Sequence, residues 1–316
     1  MKKDSRILVA GEDTMEGKAL VRQLQEDDYG NITNLIEPEP KLEDQNLVKE
    51  YFKELRPEYV FLFAGKSGGI KANQEMPATL MLDNLRIISN VLSSSHKSEV
   101  EKLLYLASSC VYPKHADQPM CPEMLMTGPL ESTNSAYATA KLAGIELCRA
   151  YRKEYGDNFI SVIPANVFGP GDDFSAENSH VVAALMKRMH EAKLNGDRAV
   201  KIWGTGKPRR EFVFVDDLAD ACLFLMKLYN EEEPVNIGSG AALSISDLAE
   251  IIKEVTGYEG CLEFDNSRPD GMPEKVLDSS RLFSLGWKSP NSFDISVERT
   301  YISFVSEDSK PVETMV

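Results

Sequence analysis

Arg6-Ile-Leu-Val-Ala10 runs directly into Gly11-Glu-Asp-Thr14-Met-Glu-Gly17. The apolar run reads as a strand buried on both faces, and the turn leads into a helical pattern from Gly17 to Gln25. A G-x-x-G-x-x-G turn placed between a first strand and a first helix lets backbone approach a dinucleotide pyrophosphate at the helix N-terminus. Gly11 and Gly17 keep that spacing, Thr14 stands where the middle glycine would be, and Met15 follows at the helix start. With Thr14 there, either the backbone approaches the ligand differently or the hydroxyl takes part.

Outward from this unit the same rhythm repeats. Strand patterns at 32–36, 59–64, 102–107 and 159–164 alternate with helical patterns at 42–55, 78–94 and 135–155. The alternation predicts an α/β fold, a Rossmann-type doubly wound parallel sheet with ligands at the carboxyl ends of its strands. Beyond the breaker-rich Phe168-Gly-Pro-Gly-Asp-Asp the texture changes, with helices at 181–193, 216–228 and 247–256 and strands at 200–203 and from 262. This predicts a dinucleotide-binding domain over 1–168 and a smaller C-terminal substrate-binding lobe over 169–305 with returns to the main sheet. The polar segment 306–316 is expected to be a mobile tail.

Bulk properties exclude several classes. With 316 residues, 42% of them hydrophobic and 27% charged, the chain can bury a full core. A net charge of −15 argues against nucleic acid and against an anionic membrane surface as partners. Apolar runs such as Tyr59-Val-Phe-Leu-Phe-Ala64 are too short to span a bilayer, and the start carries no apolar signal, so a cytoplasmic location is expected. The five cysteines (110, 121, 148, 222 and 261) show no metal-binding spacing, so no metal is expected.

The chemistry concentrates in three strings. Ser108-Ser109-Cys110 ends the strand at 102–107, Tyr137-Ala-Thr-Ala-Lys141 lies in the long helix, and His180 follows a Gly/Pro-rich acidic loop. A tyrosine and a lysine four apart share a helix face, where an ammonium lowers the phenol's pKa and makes it a proton donor or acceptor. A serine at a strand end can bond the same substrate oxygen. That set suits hydride transfer to or from a carbonyl, and a neighbouring cysteine and histidine would add acid/base groups for protons alpha to it. Glu37, after the second strand pattern, stands where an acidic residue bonds the adenosine ribose and favours NAD over NADP.

These strings, with Gly68-Gly-Ile-Lys-Ala-Asn73, Asn166-Val-Phe-Gly-Pro, Trp203-Gly-Thr-Gly-Lys-Pro-Arg-Arg210-Glu-Phe and Arg268-Pro-Asp-Gly271, resemble the extended short-chain dehydrogenase/reductases. More narrowly, the chain resembles the GDP-L-fucose synthases, which are 3,5-epimerase-4-reductases of GDP-4-keto-6-deoxy-mannose. The resemblance implies that Ser108, Tyr137 and Lys141 form a reductase triad and that Cys110 and His180 are the epimerisation base and acid. It implies substrate contacts at Ser109, Asn166, Arg188, Trp203, Arg210 and Asp270. It also implies cofactor contacts at Gly11, Thr14, Met15, Gly17, Glu37, Ala64, Gly65, Ala107, Tyr137, Lys141, Pro164, Asn166, Val167 and His180. The family uses NADP and forms homodimers through the helices that carry Tyr and Lys. Thr14 and Glu37 depart from its pattern and favour a second reading, an NAD-dependent C4 dehydrogenase or epimerase of a related GDP-hexose or GDP-heptose.

Overall fold

Every side chain of strand β1 (Ile7–Ala10) is buried, as a parallel strand between two helix layers must be. The computed structural model describes residues 1–33, 39–175, 179–268, 270 and 272–308. From β1 the chain passes through α1 (Met15–Glu26), α2 (Gln45–Leu55), β2 (Tyr59–Leu62), α3 (Ile70–Glu75), α4 (Pro77–Lys97) and β3 (Lys102–Leu106). It continues with α5 (Ser135–Tyr155), β4 (Phe159–Pro164), β5 (Asn166–Phe168), α6 (Val181–Asn195), β6 (Ala199–Trp203) and β7 (Arg209–Phe214). The last elements are α7 (Val215–Leu228), β8 (Val235–Ile237), β9 (Ala242–Ser244), α8 (Ile245–Thr256), β10 (Cys261–Asp265), β11 (Glu274–Lys275), α9 (Ser280–Ser284) and α10 (Phe293–Asp308).

The main sheet is parallel, in the order β1-β2-β3-β4-β8. The strand expected over 32–36 is represented by an isolated parallel bridge between Ile32 and Ile7; residues 34–38, Glu37 among them, lie outside the described residues. A smaller sheet, β11-β7-β5, carries β9 antiparallel on β7, and β10 pairs with β6. Strand β8, from the second half of the chain, thus lies beside β4 at the edge of the main sheet.

Close helix packing fixes the reactive edge. A Cβ placed on Gly144 of α5 would lie 2.5 Å from the Tyr105 ring of β3, so only glycine lets the helix approach this closely. The Tyr105 hydroxyl donates to the Lys141 carbonyl at 3.2 Å, tying the same helix turn to the strand.

Lys102, at the start of β3, is 4% exposed. Its Nζ donates to the carbonyls of Leu225 (3.0 Å), Met226 (2.7 Å) and Tyr229, closing the C-terminal end of α7. Burial pushes this lysine down to about 8, so the ammonium is costly to bury even with its partners. Lys102→Met therefore exchanges that cost for three deprived carbonyls, and a net loss of about 1–3 kcal/mol is expected on thermal unfolding.

Residues 306–308, the start of the expected mobile tail, are helical instead. Helix α10 carries the chain to Asp308 because Val297 and Phe304 are buried on one face. Residues 309–316 are outside the described residues. Among the described residues no helix is long and apolar enough to cross a membrane.

Candidate active site

The turn after β1 is built as a backbone cradle. Gly11 has φ +92, a region that disfavours side chains, and a Cβ there would strike the backbone of Ala64; one on Gly17 would strike the Gly11 carbonyl. Thr14 takes the N-cap of α1: its hydroxyl donates to the Gly11 carbonyl at 2.7 Å and accepts from the Gly17 N–H at 3.0 Å. Its own N–H donates to the Gly11 carbonyl at 3.1 Å. Thr14 is therefore occupied in shaping the turn, and the helix start presents the N–H groups of Met15 and Glu16. A dinucleotide pyrophosphate fits such an end.

Past the end of β3, Ser108 is extended and a single 3-10 turn follows over Ser109–Val111. That turn swings Cys110 back so that its N–H lies 3.4 Å from the Ser108 hydroxyl oxygen. Tyr137 lies in the first turn of α5 with Lys141 one turn below. Lys141 is 5% exposed; its Nζ donates to the Leu106 carbonyl at 3.1 Å and stands 5.4 Å from the centre of the Tyr105 ring. A Cβ on Gly65 would come within 3.2 Å of that Nζ. His180 occupies the N-cap position of α6 without making a side-chain capping bond.

A cavity of about 500 Å³ brings these groups together. Its wall includes all five expected catalytic residues, Ser108, Cys110, Tyr137, Lys141 and His180. Thr14, Met15, Gly65, Ala107, Ser109, Pro164, Asn166 and Val167 join them, while Gly11, Gly17 and Ala64 form the turn behind. Asn166 is held by donation from its Nδ2 to the Glu211 carbonyl at 2.8 Å.

Protonation follows burial more than proximity. The Tyr137 phenol is pushed up, first by burial and then by the charges of Cys110 and Glu16, while the Ser108 hydrogen bond pulls the other way. Burial therefore sets the phenol, in place of the expected lowering by Lys141, and it holds its proton as a donor needs to. Lys141 is pushed down to about 8 by burial, with Cys110 and Glu16 holding it up. Burial also raises the Cys110 thiol, against Lys275, Ser108 and Lys141. It lowers His180, with Lys275 adding and Glu16 and Asp173 opposing. The resting pair is therefore a neutral thiol and a neutral imidazole.

Four of the expected substrate residues stand off this wall, on the smaller lobe. Arg188 on α6 is half-buried; its Nε donates to the Ala184 carbonyl at 3.1 Å and its Nη1 to the Lys201 carbonyl at 2.9 Å. Half-buried Arg210 on β7 donates to the Arg209 carbonyl at 2.7 Å. Burial lowers both guanidinium groups, with Asp270 opposing at Arg210. Trp203 is 67% exposed, with the Arg268 guanidinium 5.2 Å above its ring. Asp270 accepts from the Thr205 N–H at 2.8 Å and its hydroxyl at 2.7 Å, so its local role is to hold the turn after β6.

Three further wall residues escaped the sequence reading. Lys275 arrives on the two-residue strand β11, and its electrostatic neighbours are Cys110 and Arg210. Glu16 enters from the first turn of α1, and Asp172 from the breaker loop. Asp172 is pushed up to about 7 by burial, with Glu16 and Asp173 adding. Its Oδ2 is buried without a partner among the described residues. No cluster able to hold a metal ion occurs among the described residues.

Residues 7–238 match the NAD dependent epimerase/dehydratase family. The chain is 49% identical to GDP-L-fucose synthase 1 of Arabidopsis thaliana, over 95% of this chain and 93% of that protein. Among solved structures it resembles a GDP-L-fucose synthetase from Naegleria fowleri bound to NADP, with TM-score 0.90 and 30% identity over 98% and 95% of the two chains. It also resembles a GDP-6-OMe-4-keto-L-xylo-heptose reductase from C. jejuni, with TM-score 0.89 and 33% identity over 97% and 99%. A nucleotide-type turn, a Ser/Tyr/Lys set at a parallel strand edge and these matches place the chain in the NAD dependent epimerase/dehydratase family.

Proposed function

We propose that this protein is a GDP-L-fucose synthase-type enzyme that epimerises C3 and C5 of a GDP-4-keto-6-deoxy-hexose and then reduces C4. The observation that carries the reading is the single cavity holding Ser108, Tyr137 and Lys141 together with Cys110 and His180. The smaller lobe supports a nucleoside-diphosphate sugar, because Arg188 and Arg210 are half-buried cations whose guanidinium groups suit a pyrophosphate.

Ser108 and Tyr137 hold the C4 carbonyl oxygen, and their hydrogen bonds stabilise the enolate formed when an adjacent proton leaves. Cys110 removes that proton as thiolate and His180 returns one as imidazolium, from opposite faces. This charged pair contains the same number of protons as the resting thiol and imidazole, so the substrate can meet it at neutral pH. Lys275 favours the thiolate. A dinucleotide held in this cavity would supply hydride for C4; Tyr137 gives its proton to the C4 oxygen, and Lys141 stabilises the phenolate left behind. The residues proposed to hold the dinucleotide are Gly11, Met15, Gly17, Gly65, Ala107 and Asn166. The division into a cofactor domain over 1–168 and a substrate lobe beyond it belongs to the same proposal, as does a homodimer through α5, the helix that carries Tyr137 and Lys141.

For the dinucleotide we propose NADH over NADPH. Both carboxylate oxygens of Glu39 accept from the Gly11 N–H, at 2.9 and 3.2 Å. Glu12 and Asp13 add charge on the same turn, where burial and Asp13 raise Glu12. A 2′-phosphate meets repulsion in this setting. Steady-state titration is expected to give a kcat/KM at least about tenfold higher with NADH, and Glu39→Gln is expected to narrow the gap. A preference for NADPH would contradict the assignment.

The function itself is tested by supplying GDP-4-keto-6-deoxy-mannose with either reductant and identifying the product sugar. GDP-L-fucose supports the reading. Turnover only of a GDP-heptose ketone would favour the second reading, which the likeness to the heptose reductase supports.

A further inference from the structure

We infer that Glu16 sets the redox balance of the bound nicotinamide, stabilising its oxidised, positively charged form. The inference rests on the dinucleotide reading of the cavity.

Glu16 is the second residue of α1. An acidic residue in a first helical turn has an ordinary explanation, favourable interaction with the helix dipole. Its position here gives it more to do. The half-buried side chain lines the same cavity as Ser108, Tyr137 and Lys141, and among the described residues no hydrogen bond or ion pair occupies its carboxylate. It acts electrostatically on groups from three directions: Tyr137 and Lys141 on α5, His180 at the start of α6, and Asp172 in the breaker loop. The remaining charged groups on this wall are Asp173 and Lys275.

The sign of the effect follows from charge alone. Hydride transfer to a carbonyl held by Ser108 and Tyr137 requires the nicotinamide ring to sit in this cavity. The ring is neutral when reduced and cationic when oxidised. Lys141, buried behind Tyr137, disfavours the cation. Glu16 is a carboxylate that acts on Lys141, and the burial of Lys141 keeps that interaction strong. Loss of the Glu16 charge therefore penalises the oxidised form selectively, whereas a role confined to the helix dipole affects both forms alike.

The test is calorimetric titration of the full-length protein with NAD+ and with NADH, comparing the ratio of the two Kd values. Glu16→Gln keeps the size of the side chain and removes its charge. It is expected to shift the ratio toward NADH by about fivefold or more. Glu16→Asp, which restores a carboxylate, should recover much of the shift. A ratio unchanged within twofold in a folded Glu16→Gln protein overturns the inference while leaving the dinucleotide reading intact. Failure of the unaltered protein to bind either form overturns that reading and the inference with it.

Discussion

Tyr137→Phe is expected to lower the rate of C4 reduction by about 10²–10⁴-fold while leaving the fold and nucleotide-sugar affinity nearly intact. The substitution removes one oxygen from a site whose other contacts stay in place: Ser108 keeps its approach to the Cys110 N–H, and Lys141 keeps the Leu106 carbonyl. What disappears is the group proposed to give the C4 oxygen its proton. The phenol is well suited to that step, because burial holds the proton on it until the alkoxide forms. The phenolate left behind needs the Lys141 ammonium, whose pKa is pushed down to about 8. The ammonium is present below that pH and lost as pH rises through it, so reduction by the unaltered protein should decline above about pH 8. Single-turnover absorbance of the reductant reads both effects. A Tyr137→Phe protein that reduces at full rate would remove this residue from the chemistry.

Cys110→Ser separates the two halves of the reaction. The hydroxyl is far weaker as a base precursor than the thiol, even beside Lys275 and Lys141, which favour the deprotonated form. Exchange of the C3 and C5 protons with solvent is expected to fall by about 10²–10⁴-fold. Reduction of a ketone supplied already epimerised should change only a few-fold, because Ser108, Tyr137 and Lys141 remain. Proton exchange followed by NMR and reduction followed by absorbance distinguish these outcomes. Full exchange in the variant would show that another group removes the protons.

The parts of this site that were legible in the sequence are those built from short-range spacing. Gly11 and Gly17 flank one turn, Tyr137 and Lys141 share one helix face, and Ser108 and Cys110 share one strand end. Each needed only a periodicity and a neighbour. Strand β7 was not legible because Glu211 interrupts its apolar run. That carboxylate is fully buried and accepts N–H groups from Gly240 at 2.7 Å and Leu277 at 2.8 Å. No local pattern announces a buried acid whose partners lie in distant segments. Lys275 was hidden for the same reason, since it reaches the cavity only through pairing of Lys275 with Arg210 between β11 and β7. Glu16 reads as an ordinary first-turn acid, and only the cavity that it shares with Tyr137 points to another role. Glu37, to which the sequence points for the ribose, lies outside the described residues; Glu39, which no motif singled out, accepts from the Gly11 N–H.

A single reaction in deuterated water joins epimerisation and reduction in one observation. The protein is incubated with GDP-4-keto-6-deoxy-mannose and protiated NADH, and the sugar product is analysed by NMR. One cavity performing both steps predicts GDP-L-fucose with deuterium at C3 and C5 and protium from the reductant at C4. A reduced product with protium at both C3 and C5 would contradict it, leaving Cys110 and His180 without the role that their place beside Tyr137 assigns them.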